Sequence, residues 1–232
     1  MKKVLILSGA GISAESGIRT FREADGLWEE YDVMEVCSVD GFERNPKLVA
    51  DFYDARRRDL ESRFPNAAHE MVARLKAKYP HQIDVLTQNV DDLFERAGCD
   101  EVIHLHGTLT QLRCEDCGRV FTIGYDSQEG TVCPGCESDR IRHNVVMFGE
   151  AAPMYEQLQL SVDECDMFVV IGTSGYVIDV AWYAQWFEYS ILNNLDFDDA
   201  LDPFFKTLYH EKATTAAPKI EADIERFLGE NG

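Results

Sequence analysis

Basic residues are scarce in this sequence. Its 232 residues include 22 Lys and Arg against 42 Asp and Glu, which gives a formal net charge of −20. Such a charge repels the phosphate backbone of nucleic acids and attracts basic partners. Direct nucleic-acid binding is therefore not expected, and the acidic surface is interpreted as mainly solubilising.

Long apolar runs are also missing. No apolar stretch has the roughly 20 residues that a helix needs to cross a bilayer. The apolar start, residues 1–7, ends at Ser8-Gly9, which favours a buried strand over a signal peptide. We therefore expect no membrane association and a cytoplasmic location.

A disulfide framework is not indicated by the cysteines. Their number, seven, is odd, and no secretion signal accompanies them. Cys37, Cys99 and Cys165 stand alone and are interpreted as small packing residues. The remaining four fall in two tight pairs.

These two C-x-x-C pairs indicate a metal site. Each pair presents two thiolates to one tetrahedral ion, and four sulfurs together close the coordination shell of zinc. A closed shell leaves no position for water or substrate, which predicts a structural zinc ion. The pairs lie in a turn-rich stretch, residues 108–144, interpreted as an inserted module, although a zinc-ribbon binding module remains an alternative function. The predicted ligands are Cys114, Cys117, Cys133 and Cys136.

Three short aliphatic segments, residues 4–7, 83–87 and 167–171, predict buried strands. Helical patterns lie between them, at residues 48–60 and, behind an asparagine N-cap, at residues 66–79. Strands that alternate with helices predict an α/β fold with a Rossmann-type parallel sheet.

Small and polar residues follow each of the three predicted strands. They are Ser8-Gly9-Ala10-Gly11, Gln88-Asn89-Val90-Asp91 and Gly172-Thr173-Ser174. In open parallel sheets, ligands bind beyond the carboxyl ends of the strands. The convergence of these segments predicts a binding cleft at that edge of the sheet.

The first of these segments is a glycine loop. Gly9 to Ala14 fit the pattern G-x-G-x-x-A directly after a strand, which allows close approach of a dinucleotide pyrophosphate. An ordinary tight turn from strand to helix would show the same pattern. No second strand ending in an acidic residue follows at the distance typical of dehydrogenases. The loop is therefore interpreted as a dinucleotide site that does not serve hydride transfer.

The longer stretch from Gly9 to Arg22, GAGISAESGIRTFR, closely resembles the NAD-binding signature of sirtuins. Thr87-Gln88-Asn89-Val90-Asp91 is similar to the family's T-Q-N-[IV]-D element, and His104-Leu105-His106-Gly107 resembles its H-G catalytic element. The resemblance implies an NAD-dependent protein-lysine deacylase, similar to the class III desuccinylase and demalonylase branch of bacteria. Such an enzyme transfers the acyl group to ADP-ribose and releases nicotinamide.

The resemblance also implies roles for single residues. His106 is implied as the general base, a task that suits an imidazole because it titrates near neutrality. Asn89 would orient the ribose and a water, and Asp91 would hold the nicotinamide carboxamide. Gln88 would contact ribose, and Phe21 would shield the reacting carbon. The residues implied to contact NAD are Gly9, Ala10, Gly11, Ile12, Glu15, Phe21, Arg22, Trp28, Gln88, Asn89, Asp91, Gly172, Thr173, Ser174, Asn194, Asp196 and Ala213.

A pair on the first predicted helix resembles the mark of sirtuins that remove succinyl and malonyl groups. Tyr53 and Arg56 are three residues apart, so they share a helix face. A phenol beside a guanidinium can bind the distal carboxylate of a dicarboxylic acyl chain. The alternative is a solvated basic face, since Arg56, Arg57 and Arg58 are consecutive. We expect both deacetylase and desuccinylase or demalonylase activity.

Residues 145–150, VVMFGE, resemble the substrate strand of the family. Their backbone would pair with an extended acyl-lysine peptide, and Val146 and Phe148 are the predicted substrate-binding residues. An ordinary buried strand would show the same pattern. Acyl-lysine proteins or peptides are therefore the expected partners.

The resemblance weakens towards the C-terminal end. Asp179 stands where the family has a proline, and the adenosine-side elements are matched only loosely by Asn194-Leu195-Asp196 and Lys212-Ala213-Thr214. Trp182 and Trp186 are four residues apart, which favours the packed face of a helix. A changed affinity for NAD is the expected consequence of this divergence.

The expected architecture is a single catalytic domain over all 232 residues with two insertions. A helical excursion at about 29–65 and the zinc module at about 108–144 would form a smaller lobe, with NAD and peptide meeting in the cleft between the lobes. Two other functions remain open. A protein ADP-ribosyltransferase would use His106 without Tyr53 and Arg56, and a zinc-stabilised NAD or ADP-ribose sensor would bind without turnover.

Overall fold

The computed structural model describes residues 1–19 and 31–229 and, between them, the backbone of residues 27–28. Phe21 and Arg22, both predicted to contact NAD, lie outside the described residues, as does the side chain of Trp28. The described strands are β1 (Val4–Ser8), β2 (Leu27–Trp28), β3 (Tyr31–Asp32), β4 (Ile83–Thr87), β5 (Ile103–His104), β6 (Gly107–Cys114), β7 (Val120–Thr122), β8 (Ile141–Val145), β9 (Met167–Ile171), β10 (Tyr189–Asn194) and β11 (Thr207–His210). The described α-helices are α1 (Val33–Val36), α2 (Val39–Arg44), α3 (Pro46–Glu61), α4 (Ala67–Lys78), α5 (Leu93–Arg96), α6 (Tyr155–Glu164), α7 (Val180–Ala184) and α8 (Ala213–Gly229).

The main sheet places the three predicted strands side by side. Its strands follow the order β11-β10-β9-β1-β4-β5, and every neighbouring pair is parallel. Ser8 at the end of β1 lies opposite Thr87 of β4 and Ile171 of β9. The three polar segments therefore leave the sheet at one edge, and the predicted α/β fold with a Rossmann-type parallel sheet is confirmed.

Both faces of this sheet are buried. Side chains alternate between the two faces along a strand, so each strand contributes to the packing on both sides. Val4 and Ile6 of β1 join an apolar cluster with α4 and α8, whereas Leu5 and Leu7 join a cluster with α6 and α7 on the other face. Each fully buried aliphatic side chain contributes about 1.5–3 kcal/mol to folding. This explains why β1 is apolar at every position before Ser8.

The two predicted long helices are present, with ends set by their caps. α3 starts two residues earlier than predicted, because Asn45 accepts a hydrogen bond from the Leu48 amide and a proline occupies the first turn. Asn66 caps α4 as predicted, and His69 Nδ1 accepts a hydrogen bond from the Asn66 amide in a capping box. No helix among the described residues is both long and apolar enough to span a bilayer.

A smaller lobe contains α1, α2, α3 and the antiparallel sheet β7-β6-β8. An apolar cluster of its own lies between α1, α3, β6 and β8. Its helices fall within residues 29–65, and its strands fall almost entirely within residues 108–144. We refer to this unit as the small lobe, and to the parallel sheet with α4 to α8 as the large lobe.

Candidate active site

A cavity of about 330 Å³ opens at the carboxyl edge of the large sheet, where it meets the small lobe. Ala10, Asn89 and His106 contribute to its lining from the segments that follow β1, β4 and β5. Tyr53 and Met147 contribute from the small-lobe side. Ligands in such sheets usually bind in a crevice outside the carboxyl ends of the strands, where the strand order reverses. Here that point is at β1.

The glycine loop is shaped by its contact with the end of β9. The Gly11 amide donates to the Gly172 carbonyl oxygen at 2.8 Å. A Cβ atom on Gly9 would lie 2.7 Å from that oxygen, and one on Gly11 would lie 2.6 Å from the Gly172 Cα. Close packing of the protein backbone therefore already requires these glycines. The loop continues into a 3-10 helix, Ala10–Ser16.

A buried polar cluster next to the cavity is centred on Ser13. Its hydroxyl donates to Asp91 Oδ2 at 3.0 Å and accepts from Asn89 Nδ2 at 3.1 Å. His69 Nε2 lies 3.3 Å from the same hydroxyl. Because His69 Nδ1 accepts from the Asn66 amide, Nε2 carries the proton, and burial lowers the pKa of His69 to about 4. Burial also raises the pKa of Asp91. The cluster holds the amide and the carboxyl group in fixed positions.

Both ring nitrogens of His106 are engaged. Nδ1 lies 2.9 Å from the Gln88 carbonyl oxygen, so it carries the proton and donates. Nε2 lies 3.0 Å from the Tyr155 hydroxyl, which then donates to it. Burial lowers the pKa of His106, against the opposing effect of the Gln88 hydrogen bond. The imidazole is therefore neutral at neutral pH, with its lone pair on Nε2, as a general base requires.

His104, two residues earlier, has different partners. Its Nδ1 lies 2.9 Å from the Asn89 carbonyl oxygen, and its Nε2 lies 2.8 Å from a Glu95 carboxylate oxygen. Burial lowers the pKa of His104, but the hydrogen bond and charge of Glu95, together with smaller contributions from Asn89 and Asp91, outweigh it, so the net shift is upward. His104 therefore holds the backbone of the loop that carries Asn89, which is a structural role.

Three consecutive arginines on α3 have three different environments. Arg56 lines the cavity together with Tyr53, and its guanidinium lies 5.5 Å from the centre of the Phe52 ring. Arg57 is fully buried, and Arg58 is exposed. The alternative of a solvated basic face is wrong for the three arginines together, because Arg58 is exposed, Arg56 is half-buried and Arg57 is buried.

Tyr53 belongs to an apolar wall of the cavity. Its side chain is 1% exposed, and its ring lies 5.0 Å from that of His143. Cys37, Leu109 and Met147 line the same cavity and share the apolar cluster of the small lobe with Tyr53. Burial raises the pKa of Tyr53 well above its usual value, and the nearby Cys37 thiol adds to this. The phenol therefore stays protonated and can donate a hydrogen bond.

The predicted substrate strand is interrupted. β8 ends at Val145, and a turn follows. The Phe148 amide donates to the Cys37 carbonyl, and the Phe148 carbonyl accepts from the Val39 amide. The predicted backbone pairing of a peptide with Phe148 does not fit this arrangement, because both polar groups are already bonded within the protein. Val146 and Phe148 still line the cavity.

The residues implied for the adenosine side come together in part. Gln88 Nε2 donates to the Thr173 hydroxyl at 3.0 Å, and Asn194 Nδ2 donates to the Thr173 carbonyl at 2.9 Å. These bonds join the ends of β4, β9 and β10 and leave the half-buried Ser174 beside them. Asp196 is exposed in the loop after β10.

Three other residues implied to contact NAD have their side chains committed to the fold. The side chains of Ile12 and Ala213 are buried in the apolar cluster beneath the sheet. The Glu15 carboxylate accepts from the amide and the hydroxyl of Thr214, so it caps the first turn of α8. Because the side chains of Ile12 and Ala213 are buried, only their backbone is left to reach a ligand, and their contact with NAD stays a prediction.

The four predicted metal ligands form one compact cluster. Their sulfur atoms all lie within 4.8 Å of one another. Cys114 and Cys133 are buried, while Cys117 and Cys136 are exposed. Four sulfurs about 2.3 Å from a common centre would stand roughly 3.8 Å apart, so the spacing fits one tetrahedral zinc ion. The Gly135 amide also lies 3.4 Å from the Cys133 sulfur, where it can support a thiolate. Four thiolates leave no open position, so the site suits a structural ion.

A buried ionic network joins α3 to the metal-binding segment. Arg57 donates to the carbonyl oxygens of Leu109 and Asp126, each at 2.6 Å. Asp54 Oδ1 lies 3.1 Å from the Arg57 guanidinium and 3.2 Å from His143 Nε2. Burial opposes ionisation of Asp54, but the hydrogen bond with His143 helps to lower its pKa. Because Asp126 lies between the two cysteine pairs, the metal-binding segment helps to position α3.

The divergent C-terminal segment has its own local order. Asp179 accepts a hydrogen bond from the Trp182 amide at 2.9 Å and caps α7, so an aspartate can replace the expected proline here. The buried face of α7 includes Val180 and Ala184. Trp182 and Trp186 are 55% and 65% exposed, so the prediction that they form the packed face is wrong.

The sequence around this site matches a known family. Residues 9–179 correspond to the Sir2 family. The chain belongs to the Sir2 family, the sirtuins. A relative from Campylobacter jejuni, named an NAD-dependent protein deacylase, is 53% identical over 228 residues, which cover 98% of each chain.

Solved structures of Sir2 homologues share the fold. One, in complex with NAD, has a TM-score of 0.85 and 34% identity, and the match covers 98% of this chain and 91% of that one. Another, a mutant in complex with 2′-O-acetyl ADP-ribose, has a TM-score of 0.84 and 33% identity, covering 99% and 94%. Both matches extend through the divergent C-terminal segment.

Sequence reasoning misses two residues of this Sir2-family site. Ser13 lies within the glycine-loop signature, and its hydroxyl joins Asn89 to Asp91. A buried hydroxyl needs a partner, so its place among apolar neighbours was a usable signal. Tyr155 is separated by 49 residues from His106, which it contacts, and no spacing motif connects them.

Proposed function

We propose that this protein is an NAD-dependent protein-lysine deacylase that removes acetyl groups and also succinyl and malonyl groups. The acyl group is transferred to ADP-ribose, and nicotinamide and free lysine are released. The name of the Campylobacter jejuni relative supports the activity, and the Sir2 homologue structures support NAD and the ADP-ribose acceptor. The observation that carries the proposal is one cavity that holds neutral His106, fixed Asn89 and Asp91, and the pair Tyr53 and Arg56.

Bound NAD would supply the ADP-ribose that accepts the acyl group and the nicotinamide that departs. Gln88, Asn89 and Asp91 line the cavity at the end of β4 and would hold the nicotinamide and its ribose. Residues 172–174, with Asn194 beside them, would hold the adenosine side. Ser13 keeps the Asn89 amide and the Asp91 carboxyl group oriented without reorganisation during the reaction.

His106 would act as the general base on a ribose hydroxyl. Its neutral form accepts a proton at Nε2, while Nδ1 stays bonded to the Gln88 carbonyl, which also stabilises the imidazolium that results. A positioned general base contributes about 10²–10⁴-fold to rate. The orientation of the ring by a backbone carbonyl fixes the tautomer that this task requires.

Tyr53 and Arg56 would recognise the distal carboxylate of a succinyl or malonyl group. The guanidinium supplies a charge-assisted hydrogen bond, and the protonated phenol supplies a second donor. Leu109 and Met147 of the same cavity would contact the methylene part of the chain. A hydrogen bond to a charged group is worth about 1.5–3 kcal/mol, so loss of either donor should cost roughly 10- to 100-fold in kcat/KM for succinyl-lysine.

Acyl-lysine proteins or peptides are the proposed substrates. In this proposal the whole chain forms one catalytic unit that includes the helical and zinc-binding insertions, and the zinc ion has a structural role. The side chains of Val146 and Phe148, rather than the Phe148 backbone, are proposed to contact the peptide. A cytoplasmic location stays a prediction from the sequence.

Mass spectrometry of matched acetyl-lysine and succinyl-lysine peptides, with and without NAD, tests this proposal. We expect both acyl groups to be lost only when NAD is present. Tyr53→Phe and Arg56→Met should reduce the succinyl reaction far more than the acetyl reaction. Arg58→Met changes an exposed neighbour on the same helix and is the matched control. It should leave the ratio of the succinyl reaction to the acetyl reaction as in wild type.

Each other outcome points to a specific error. Loss of acetyl alone would keep the deacylase activity and remove the proposed role of Tyr53 and Arg56. If neither peptide changed, the deacylase proposal would be wrong. ADP-ribosyl transfer to a protein, or NAD sensing without turnover, would then take its place.

A further inference from the structure

The acceptor nitrogen of His106 is already occupied in the free protein. Nδ1 donates to the Gln88 carbonyl, so the lone pair lies on Nε2, and the Tyr155 hydroxyl donates to it at 3.0 Å. The two rings lie 5.9 Å apart, centre to centre, at an angle of 47°. A substrate hydroxyl that gives its proton to His106 must therefore either displace the phenol or pass the proton through it.

Packing favours transfer through the phenol. Tyr155 is the first residue of α6, and its amide is bonded to the Ala152 carbonyl in the preceding turn. Its ring packs against the apolar cluster between the sheet, α6 and α7. Rotation of the ring away from His106 would break these apolar contacts. The His106 carbonyl is in turn fixed by the Val146 amide.

The chemistry of the hydroxyl also suits a transfer. A phenol oxygen can donate one hydrogen bond and accept another at the same time. Tyr155 lines the same cavity as His106 and Asn89, so a substrate hydroxyl there can approach it. Burial raises the pKa of Tyr155, so the phenol remains a proton donor.

We propose that Tyr155 relays the proton from the ribose hydroxyl to His106, an inference that rests on the proposed deacylase function. The ribose hydroxyl gives its proton to the Tyr155 oxygen while that oxygen gives its own proton to Nε2. The electron pair left on the ribose oxygen forms the new bond to the acyl carbon. The π bond between that carbon and the lysine nitrogen breaks, and its electron pair moves onto the nitrogen. Tyr155 ends the step neutral, and His106 becomes an imidazolium that later releases the proton to solvent. No oxidant or further reactant is needed.

The relay serves only the step after nicotinamide has left. In the proposed reaction, cleavage of the bond to nicotinamide requires no proton transfer to His106, and its reversal would return nicotinamide to NAD. Exchange of labelled nicotinamide into NAD, in the presence of acyl peptide, therefore measures this first step separately. Removal of the Tyr155 hydroxyl should lower product formation roughly 10- to 100-fold, within the usual contribution of general acid–base catalysis, and should lower exchange much less.

The experiment compares wild type, Tyr155→Phe and Tyr183→Phe. Tyr183 is a second half-buried tyrosine, packed against the same apolar cluster, and it serves as the matched control. Product formation and nicotinamide exchange are measured on the same acetyl-lysine peptide. The ¹⁵N resonance of His106 Nε2 is also recorded in the free protein, because loss of its hydrogen-bond donor should shift it in Tyr155→Phe but not in Tyr183→Phe.

The relay is supported if Tyr155→Phe shifts the Nε2 resonance and separates product formation from exchange. It is overturned if product formation is unchanged, or if product formation and exchange fall together. It is also overturned if the Nε2 resonance does not move. If wild-type protein gives neither product nor exchange, the proposed function itself is wrong. If wild-type protein is active and Tyr155→Phe is unaffected, the relay alone is wrong.

Discussion

The two lobes of this sirtuin are stabilised by different means. In the large lobe, aliphatic side chains fill both faces of a parallel sheet, and β1 is buried along its whole length. In the small lobe, an apolar cluster is combined with four clustered cysteines and with the buried ions Asp54 and Arg57. An apolar core tolerates substitution by other apolar residues of similar volume. A buried ion pair or a metal site loses its stabilising effect when any one partner is removed. The small lobe should therefore respond more strongly to single changes.

The largest effect is expected from loss of the metal. Zinc binding in structural sites contributes about 10–16 kcal/mol, and it is coupled to folding. Chelation or Cys114→Ser should remove hydrogen-exchange protection from residues 107–145 while the strands β1 and β9 stay protected. Cys165→Ser, which changes a cysteine outside the cluster, is the control. Retained protection of residues 107–145 in metal-free protein would show that the small lobe does not need the ion.

The next effect concerns the buried arginine. Arg57→Met leaves Asp54 buried without its cation, and removal of one partner from a buried ion pair costs about 3–5 kcal/mol. Arg58→Met, one residue further on the exposed face, should change stability by no more than about 0.5 kcal/mol. Urea unfolding compares the two variants. Equal midpoints would mean that the network adds no stability, and the contrast between the lobes would lose its main support.

Each lobe also contains one fully buried histidine that should make it sensitive to acid. Burial lowers the pKa of both His69 and His143 to about 4. In the unfolded chain a histidine binds a proton below about pH 6.5. Between these values the unfolded state takes up protons that the folded state does not, so the free energy of unfolding falls as pH falls. The slope is roughly 1 kcal/mol per pH unit for each histidine, and the loss is complete near pH 4.

Thermal unfolding between pH 7 and pH 5 measures this slope. His143→Phe should reduce it, because the variant removes one of the two groups. His81→Asn, a change at an exposed histidine, is the control. An unchanged slope in His143→Phe would show that this histidine can take up its proton within the folded small lobe.

The smallest effect is expected on the outer face of α7. Trp182→Ala changes a side chain that is 55% exposed, so stability should shift by no more than about 0.5 kcal/mol. Val180→Ala, on the buried face of the same helix, should cost about 1.5–3 kcal/mol. The melting temperatures of the two variants give the comparison. A larger loss from Trp182→Ala would mean that the tryptophan has a packing role that the structure does not show.

The contrast between the lobes also explains what the sequence predicts. The strands β1, β4 and β9 follow from apolar runs bounded by turn residues, and the convergence of their ends follows from the parallel sheet. The cysteine pairs predict their own cluster because both pairs are local and zinc chemistry supplies the contact between them. These features depend on composition and short spacing, which a sequence displays directly.

Other features depend on contacts between distant residues. The environments of Arg56, Arg57 and Arg58 differ because residues far along the chain contact one face of α3. Asp126 accepts a hydrogen bond from Arg57, and His143 is bonded to Asp54. The sequence of residues 145–150 is typical of a strand. In the structure, however, the Phe148 backbone is bonded to Cys37 and Val39 at the start of α2, a contact that sequence periodicity does not predict. The contact between Tyr155 and His106 belongs to the same class.

One measurement tests the central claim, that this cavity is the catalytic centre and His106 its base. His106→Ala is compared with wild type for NAD binding by calorimetry and for deacylation of an acetyl-lysine peptide. We expect NAD binding to stay close to that of wild type and deacylation to fall by about 100-fold or more, because the base acts after binding. Normal turnover by His106→Ala would contradict the assignment of the base and, with it, the account of this site.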